Sequence, residues 1–572
     1  MERSLSSPCS SYNNASFFRR VISSSGGAPY TTSARRAARP QSSMVRRNLS
    51  LAFVSTLVAF GAWYYSTKGV DSTTTAAAGS SEATSAATTR RALVVDNGQF
   101  YTGTIEGDGP LQKQSDDRRY VLEMLTPEQA TQKLRRNEES YHVGRGNGVV
   151  RYDIVQVPSN NPIEDDHAEE IIHVSDNALP LNSEKARDWM FWGIFDGHSG
   201  WTTSAKLRQS LISYVVQELN STYKSAAGSS PALPSPEAVD DAIKKGFVRL
   251  DNDIVHESVK KTLKANTKLA AAELLAPALS GSCALLAFYD TSSNLLKIAC
   301  TGDSRAVLGR SKNGKWVASP LSEDQTGDTE SEIKRLQNEH PGEKYVIRHG
   351  RVLGGLQPTR AFGDAVYKWS RDVQSKIKSN FFGKSTNPLL RTPPYVTAEP
   401  VVTTTEVNPQ NGDFLVMASD GLWEMLSNEE VVGLVGRWLE TERAKSNGGK
   451  QHSWLKSWFS SESNKLPVES PDGQKGDGQR APIRQQQWDI VGTDRFVVED
   501  ANAATHLARN ALGGKNRDTV CALLTLVSPY SRRYSRKHLL YLFIGGNFPT
   551  PCDVREHHSR QNEWQYQMRV SL

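Results

Sequence analysis

Trp189-Met190-Phe191-Trp192-Gly193-Ile194-Phe195-Asp196-Gly197-His198-Ser199-Gly200 runs apolar for seven residues and then turns polar. An apolar run this short, with no polar face, reads as a strand buried on both sides. The Asp-Gly that ends it places a carboxylate at the sheet edge, where glycine lets the backbone come close to a ligand. The pattern recurs. Ile298 to Gly302 runs into Asp303, and Leu415 to Ser419 runs into Asp420-Gly421-Leu422-Trp423-Glu424. Cys283 to Tyr289 and Leu295 to Cys300 are further strand candidates, and the turn chemistry of Asp290 to Asn294 between them predicts a hairpin. An earlier acidic pair, Glu164-Asp165, follows Pro162.

Between these runs lie helical patterns. Residues 203–219 place Leu207, Leu211, Tyr214, Val215 and Leu219 on one stripe. Residues 237–262, 329–338 and Val121 to Leu134 also carry helical spacing. Strands and helices come in blocks rather than in regular alternation. That predicts an α+β sandwich of sheets with helices outside.

Oxygen ligands without clustered Cys or His favour hard cations, Mg²⁺ or Mn²⁺. The five cysteines are too few and too irregularly spaced for a zinc site or a disulfide framework. Carboxylates converging at one edge suit a pair of ions, and such a pair suits hydrolysis of a phosphate ester. His198, beside the first carboxylate, is placed to protonate a leaving oxygen. Taken singly, each element is ordinary: an Asp-Gly is usually a turn and a lone His is usually structural. The specificity lies in the set and its order.

The chain has 572 residues, 37% of them apolar and 23% charged, with a net charge of +6. The positive excess is an N-terminal property. Residues 1–47 hold eight arginines, no lysine and one acid, Glu2, a net +7. A Ser- and Arg-rich, acid-poor start has the composition of a mitochondrial transit peptide. Leu49 to Tyr65 follows without a charge and ends in Trp63-Tyr64-Tyr65. As a helix it spans about 26 Å, enough for a short membrane anchor with an interfacial aromatic end. The expected organisation is a transit peptide over 1–47, a single anchor over 48–66 and a flexible linker over 67–117. A catalytic domain over 118–534 follows, with a Gly-, Ser- and Gln-rich disordered insertion over 441–490, and then an atypical tail over 535–572. The body between the basic start and the tail is mildly acidic and gives no reason to expect nucleic acid as a partner.

The motifs FDGHSG (195–200), SGSCALL (280–286), TGDSRAVL (301–308), SEDQTG (322–327), TRAFGD (359–364) and ASDGLWE (418–424) resemble, in order, those of the metal-dependent type 2C Ser/Thr protein phosphatases. NPIED (161–165), RVLGGLQPTRAFGD (351–364) and LRTPPYVTAEP (390–400) are similar to the mitochondrial branch, the pyruvate dehydrogenase phosphatases and their fungal relatives. The resemblance implies a four-layer αββα sandwich: two antiparallel β-sheets flanked by helices, with a binuclear Mg²⁺ or Mn²⁺ site at one edge and a candidate third ion. It implies Asp165, Asp196, the Gly197 carbonyl and Asp420 as metal ligands. Glu164, Asp303 and Glu424 become outer or weaker metal positions, His198 the acid, and Arg360 and Asp364 structural residues. The implied substrate is a phosphoprotein, the E1α subunit of the pyruvate dehydrogenase complex. The implied location is the mitochondrion, at the inner membrane on its matrix or intermembrane-space side.

Two departures stand out. Many family members carry a phosphate-binding arginine four residues before the Glu-Asp pair; here, as in the mitochondrial branch, that position differs and holds Asn160. The family's closing strand opens Arg-Asp-Asp/Asn, its first Asp a metal ligand. Here Ser531-Arg532-Arg533-Tyr534 is followed by Ser535-Arg536-Lys537, without an acid. Arg517-Asp518-Thr519-Val520 resembles the motif and heads the apolar run Cys521 to Val527, read as a strand, which makes Asp518 a doubtful substitute. From Ser535 onward the tail resembles nothing in the family and reads as an altered reading frame, a retained intron or a mis-assigned splice junction. The missing closing acid leaves a second reading open, a catalytically impaired pseudophosphatase acting as a binding or regulatory protein.

Overall fold

Period-two alternation builds the centre of the protein. In β7 (Arg187–Phe195), Trp189, Phe191 and Phe195 belong to one buried cluster, while Met190, Trp192 and Ile194 belong to another. In β18 (Phe414–Ala418), Phe414, Val416 and Ala418 face one cluster, and Leu415 and Met417 face the cluster shared with β7. Strands apolar on both faces are buried between layers on both sides.

The computed structural model describes residues 89–96, 99–106, 119–144, 148–174, 187–229, 233–383, 385–446, 466–469, 493–528, 531 and 538–545. All lie in the compact unit Ala87–Leu572. The expected transit peptide (1–47) and anchor (48–66) lie outside the described residues. Among the described residues, no helix is long and apolar enough to cross a membrane.

Two antiparallel sheets form the middle layers. The first has the order β17 (Val401–Glu406), β11 (Leu295–Thr301), β10 (Ala284–Asp290), β7 and β6 (Asp166–Val174). The second runs β13 (Lys315–Pro320), β12 (Arg305–Lys312), β18, β19 (His538–Gly545), β5 (Val149–Val157) and β4 (Glu138–His142). Tyr152, Ile154, Trp192, Leu285, Ile298, Leu308 and Met417 fill the space between them. Outside the first sheet pack α2 (Thr202–Ser229), α3 (Pro236–Asn252), α4 (Ser258–Ala265) and α5 (Lys268–Leu279). Outside the second pack α1 (Pro127–Leu134), α8 (Asp420–Trp423), α9 (Asn428–Ser446), α10 (Ala503–Ala511) and α11 (Arg517–Thr525). This is the αββα order. Two further helices, α6 (Glu330–Glu339) and α7 (Arg371–Asn380), flank a hairpin of β14 (Ile347–Arg348) and β15 (Arg351–Val352).

The structure departs from five expectations. The segment 67–117 is not all linker: β1 (Thr89–Asp96) and β2 (Gln99–Glu106) form a hairpin, joined by β3 (Arg119–Glu123). Leu93 and Val95 bury completely against the helices of the second sheet, which offsets the ordering cost of the hairpin. The helix read over Val121 to Leu134 starts only at Pro127, where Thr126 and Gln129 make a capping box. The run Cys521 to Val527 is helical as far as Thr525, because Asn516 caps Thr519 and the Val520 amide bonds back to the Asn516 carbonyl. The tail is not wholly foreign: His538–Gly545 pairs with β18 on one side and β5 on the other. Of the expected insertion over 441–490, residues 441–446 finish α9 and Leu466 to Glu469 run beside Trp316 of β13.

Candidate active site

The strand ends bring the acids together through pairing register. Asp166 pairs with Phe195, so continuing that register by one residue sets Asp165 opposite Asp196. Arg305 pairs with Ala418, and the same continuation, two residues on, sets Asp303 opposite Asp420. Each sheet thus contributes one carboxylate pair at the same edge. Asp303, Asp420 and Glu424 line one small pocket with Arg305, Asp324, Thr326 and Trp423. Glu164, Asp165, Asp196, Asp303 and Glu424 are all buried.

This edge concentrates negative charge. Burial, then the neighbouring Asp196 and Asp324, push the Asp303 carboxyl up to about 6, while His198 acts in the opposite sense. The Cys283 thiol donates to Asp303 Oδ1 at 3.2 Å and is itself pushed up by burial and by Asp303. Arg305 is already engaged, gripping both oxygens of Asp324 at 2.9 and 2.5 Å.

Gly197 cannot be replaced here without movement. A Cβ at that position would lie 2.0 Å from the Glu164 carbonyl oxygen. Glu164 is fixed from several sides: the Gly200 amide donates to Oε1 at 2.9 Å, Asn160 Nδ2 donates to Oε2, and Ser204 Oγ donates to its carbonyl. Asn160, read from sequence as a lost phosphate ligand, therefore has its own work of orienting Glu164.

His198 stands on β8 (Gly197–His198), which pairs with β9 (Gly281–Ser282), and β9 pairs in turn with β16 (Phe362–Gly363). This small sheet carries His198 Nε2 to 2.6 Å from Asp364 Oδ2. Asp364 therefore touches the site, although the sequence reading gave it a purely structural place. Arg360 does keep that place, bonding Glu332 Oε1 at 3.0 and 2.8 Å.

Asp518 is not part of the cluster. It lies in the first turn of α11, more than half exposed, ion-paired to Arg91 of β1, and that pair holds its carboxyl below the usual range. The strand that fills the closing position, His538–Gly545, contains no acid. Ser531, just before it in sequence, donates to the Ser159 carbonyl. The chain thus returns to the loop that carries Asn160, Glu164 and Asp165. Asp324 has no role in the sequence reading, and Asp364 has only a structural one. SEDQTG and TRAFGD contained them, but nothing in spacing alone says that one caps an arginine and the other meets a histidine.

Among the described residues, no three His, Cys, Asp or Glu side chains stand together as a ready-made metal cage. The donor set nonetheless fits hard cations. Such ions keep several waters and take only one or two carboxylates each, together with backbone carbonyls. A buried, mutually repelling group of oxygen donors is the environment that a divalent cation relieves.

A family model described as Protein phosphatase 2C matches residues 163–450. A protein phosphatase 2C homolog of Schizosaccharomyces pombe is 44% identical over 406 residues, covering 71% of this chain and 82% of its own. The mitochondrial pyruvate dehydrogenase (acetyl-transferring) phosphatase 1 of Saccharomyces cerevisiae is 41% identical, with 74% and 73% covered. The Homo sapiens protein of the same name is 31% identical, with 72% and 81% covered. The chain belongs to the protein phosphatase 2C family. It is a protein serine/threonine phosphatase, from a family that is in general metal-dependent.

Proposed function

We propose that this chain removes phosphate from phosphoserine and phosphothreonine of the pyruvate dehydrogenase E1α subunit, using two Mg²⁺ or Mn²⁺ ions at the carboxylate edge. The observation that supports the metal assignment is the gathering of acids at one edge: Asp303, Asp420 and Glu424 line one pocket, and Asp196, opposite Asp165, lies near enough to act on Asp303. Asp165, Asp196, Asp420 and the Gly197 carbonyl would hold the ions, with Glu164, Asp303 and Glu424 as outer positions. When bound, such ions supply an activated water and positive charge for the phosphoryl oxygens. The chain's own residues supply the rest. Asn160 and the Gly200 amide keep Glu164 aligned. His198 delivers a proton to the departing serine oxygen. The substrate rests on the names of the relatives, as does the mitochondrial location. The arginine-rich start supports an import signal, and Leu49 to Tyr65 supports an inner-membrane anchor.

One observation favours a second reading, a pseudophosphatase: the closing strand offers no acid. A single assay separates the two. Phosphate release from an E1α phosphopeptide is followed with Mn²⁺ or EDTA, for the full chain and for a variant carrying Ser535→Arg, Arg536→Asp and Lys537→Asp. Metal-dependent turnover by the unaltered chain supports the enzyme. Turnover by the variant alone establishes the binding protein. Carbonate extraction and protease protection of mitoplasts test the anchor and the side of the membrane.

A further inference from the structure

The contact between His198 and Asp364 is built by backbone as well as side chains. Gly281 pairs with His198 on one side and with Gly363 on the other. Its missing side chain is the space in which the two groups meet. A Cβ at Gly281 would lie 2.2 Å from both Asp364 Oδ2 and His198 Nε2. Asp364 itself sits in the left-handed region at φ 45, an uncommon place for a residue with a side chain. Several bonds hold it there. Its amide donates to the Ser280 carbonyl at 2.8 Å, and its carbonyl accepts from Tyr367 at 2.9 Å. The flanking Gly363 amide and Lys368 Nζ both bond Asp251, at 2.9 and 2.7 Å. Asp364 and Lys368 are buried. A strained backbone held by its surroundings at a reaction site is the usual mark of an oriented group.

We propose that Asp364 is the positioning residue for the proton donor. Its carboxylate accepts a hydrogen bond from His198 Nε2–H, fixing the ring's orientation and assigning the transferred proton to Nδ1. The inference rests on the reading of His198 as the acid. In the step it serves, the bond from phosphorus to the serine oxygen breaks and its electron pair stays on that oxygen. The oxygen takes the Nδ1 proton, leaving a neutral ring protonated at Nε2. The attacking water supplies the new P–O bond and releases its proton to solvent.

An acid matters for a poor leaving group such as a serine alkoxide and little for a good one such as p-nitrophenolate. Asp364→Asn should therefore lower kcat on a phosphoserine peptide roughly 10- to 100-fold and change turnover of p-nitrophenyl phosphate by less than about threefold. Gly281→Ala, which parts the pair while keeping both side chains, should show the same selectivity. Asp364→Asn should add nothing in a His198→Ala background. Nitrogen-15 NMR of the histidine-labelled full chain, assigned through His198→Ala, needs no turnover. It should show His198 protonated at Nε2 with a downfield ring proton that Asp364→Asn abolishes. Equal losses on both substrates in both variants, or a ring protonated only at Nδ1, would overturn the positioning role. Failure of the unaltered chain on both substrates, with the NMR signature present, overturns the phosphatase reading and leaves the His198–Asp364 pairing standing.

Discussion

Two buried carboxyls, Glu332 and Asp303, are shifted in opposite directions. Burial alone would raise Glu332, but hydrogen bonds from Arg335 and Arg360 outweigh it and hold the carboxyl at about 2. Thr359 adds a further donor at 2.7 Å. Asp303 has burial and Asp196 against it and rises to about 6. The chain satisfies Glu332 from its own arginines. At Asp303, burial and the Asp196 charge outweigh the opposing Cys283 and His198 contributions. On the proposed reading, the difference separates a structural acid from one that serves a metal ion.

Substitutions at the two positions should act on different properties. The largest effect belongs to the Asp196–Asp303 edge. Asp196→Asn should cost metal-dependent phosphatase activity roughly three decades or more, since a metal's transition-state contribution is several kcal/mol. At Glu332 the effect falls on stability instead. Glu332→Gln should lose about 2 to 3 kcal/mol in denaturant unfolding, as the half-buried Arg360 loses its carboxylate partner and Arg335 keeps only Glu339. The pH dependence of the unaltered protein follows. Glu332 is depressed in the fold, so its contribution is complete above its ordinary 4.5 and is lost as pH falls toward about 2. Stability measured over that interval should drop less steeply in Glu332→Gln. A smaller effect comes from supplying the missing charge: Mg²⁺ at a hundredfold excess over its Kd should stabilise the protein by about 2.7 kcal/mol in calorimetry. Asp196→Asn should cut that gain. Smallest of all is Asp518→Asn, which should change stability by less than about 1 kcal/mol and activity not at all, because that carboxylate sits in an exposed ion pair.

The parts of the fold that the sequence reveals are those where one physical term dominates. Phe414 to Ala418 reads as a buried strand and is one, because every side chain in it is apolar and no helix of five residues would be stable alone. Asp290 to Asn294 reads as a turn, and Asn294 takes the left-handed conformation there at φ 55. Cys521 to Val527 misleads because a short apolar run is as good a buried helix as a buried strand. The cap from Asn516 decides it, and that cap was present in the sequence. The hairpin over residues 89–106 sits beside a Thr/Ala-rich stretch whose composition hid it, although Asn97-Gly98 between Val95 and Phe100 is a hairpin signal. Within the site, Asp196, Asp303 and Asp420 were legible from their places after buried strands. Asp364 and Asn160 were not, since each acts through a side chain distant in sequence or through a bond that spacing does not encode.

The position of His538–Gly545 has a consequence for biosynthesis. It is the last strand described, yet it lies in the interior of its sheet, between β5 near the start of the domain and β18. While the chain is being made, β4 and β5 form one fragment of that sheet and β12, β13 and β18 another. Each shows an open edge until residue 545 has left the ribosome. Open edges recruit other strands. A message cut short before codon 538 would therefore yield more than a protein lacking a tail. It would yield two half-sheets facing each other without the strand that joins them, a substrate for chaperones.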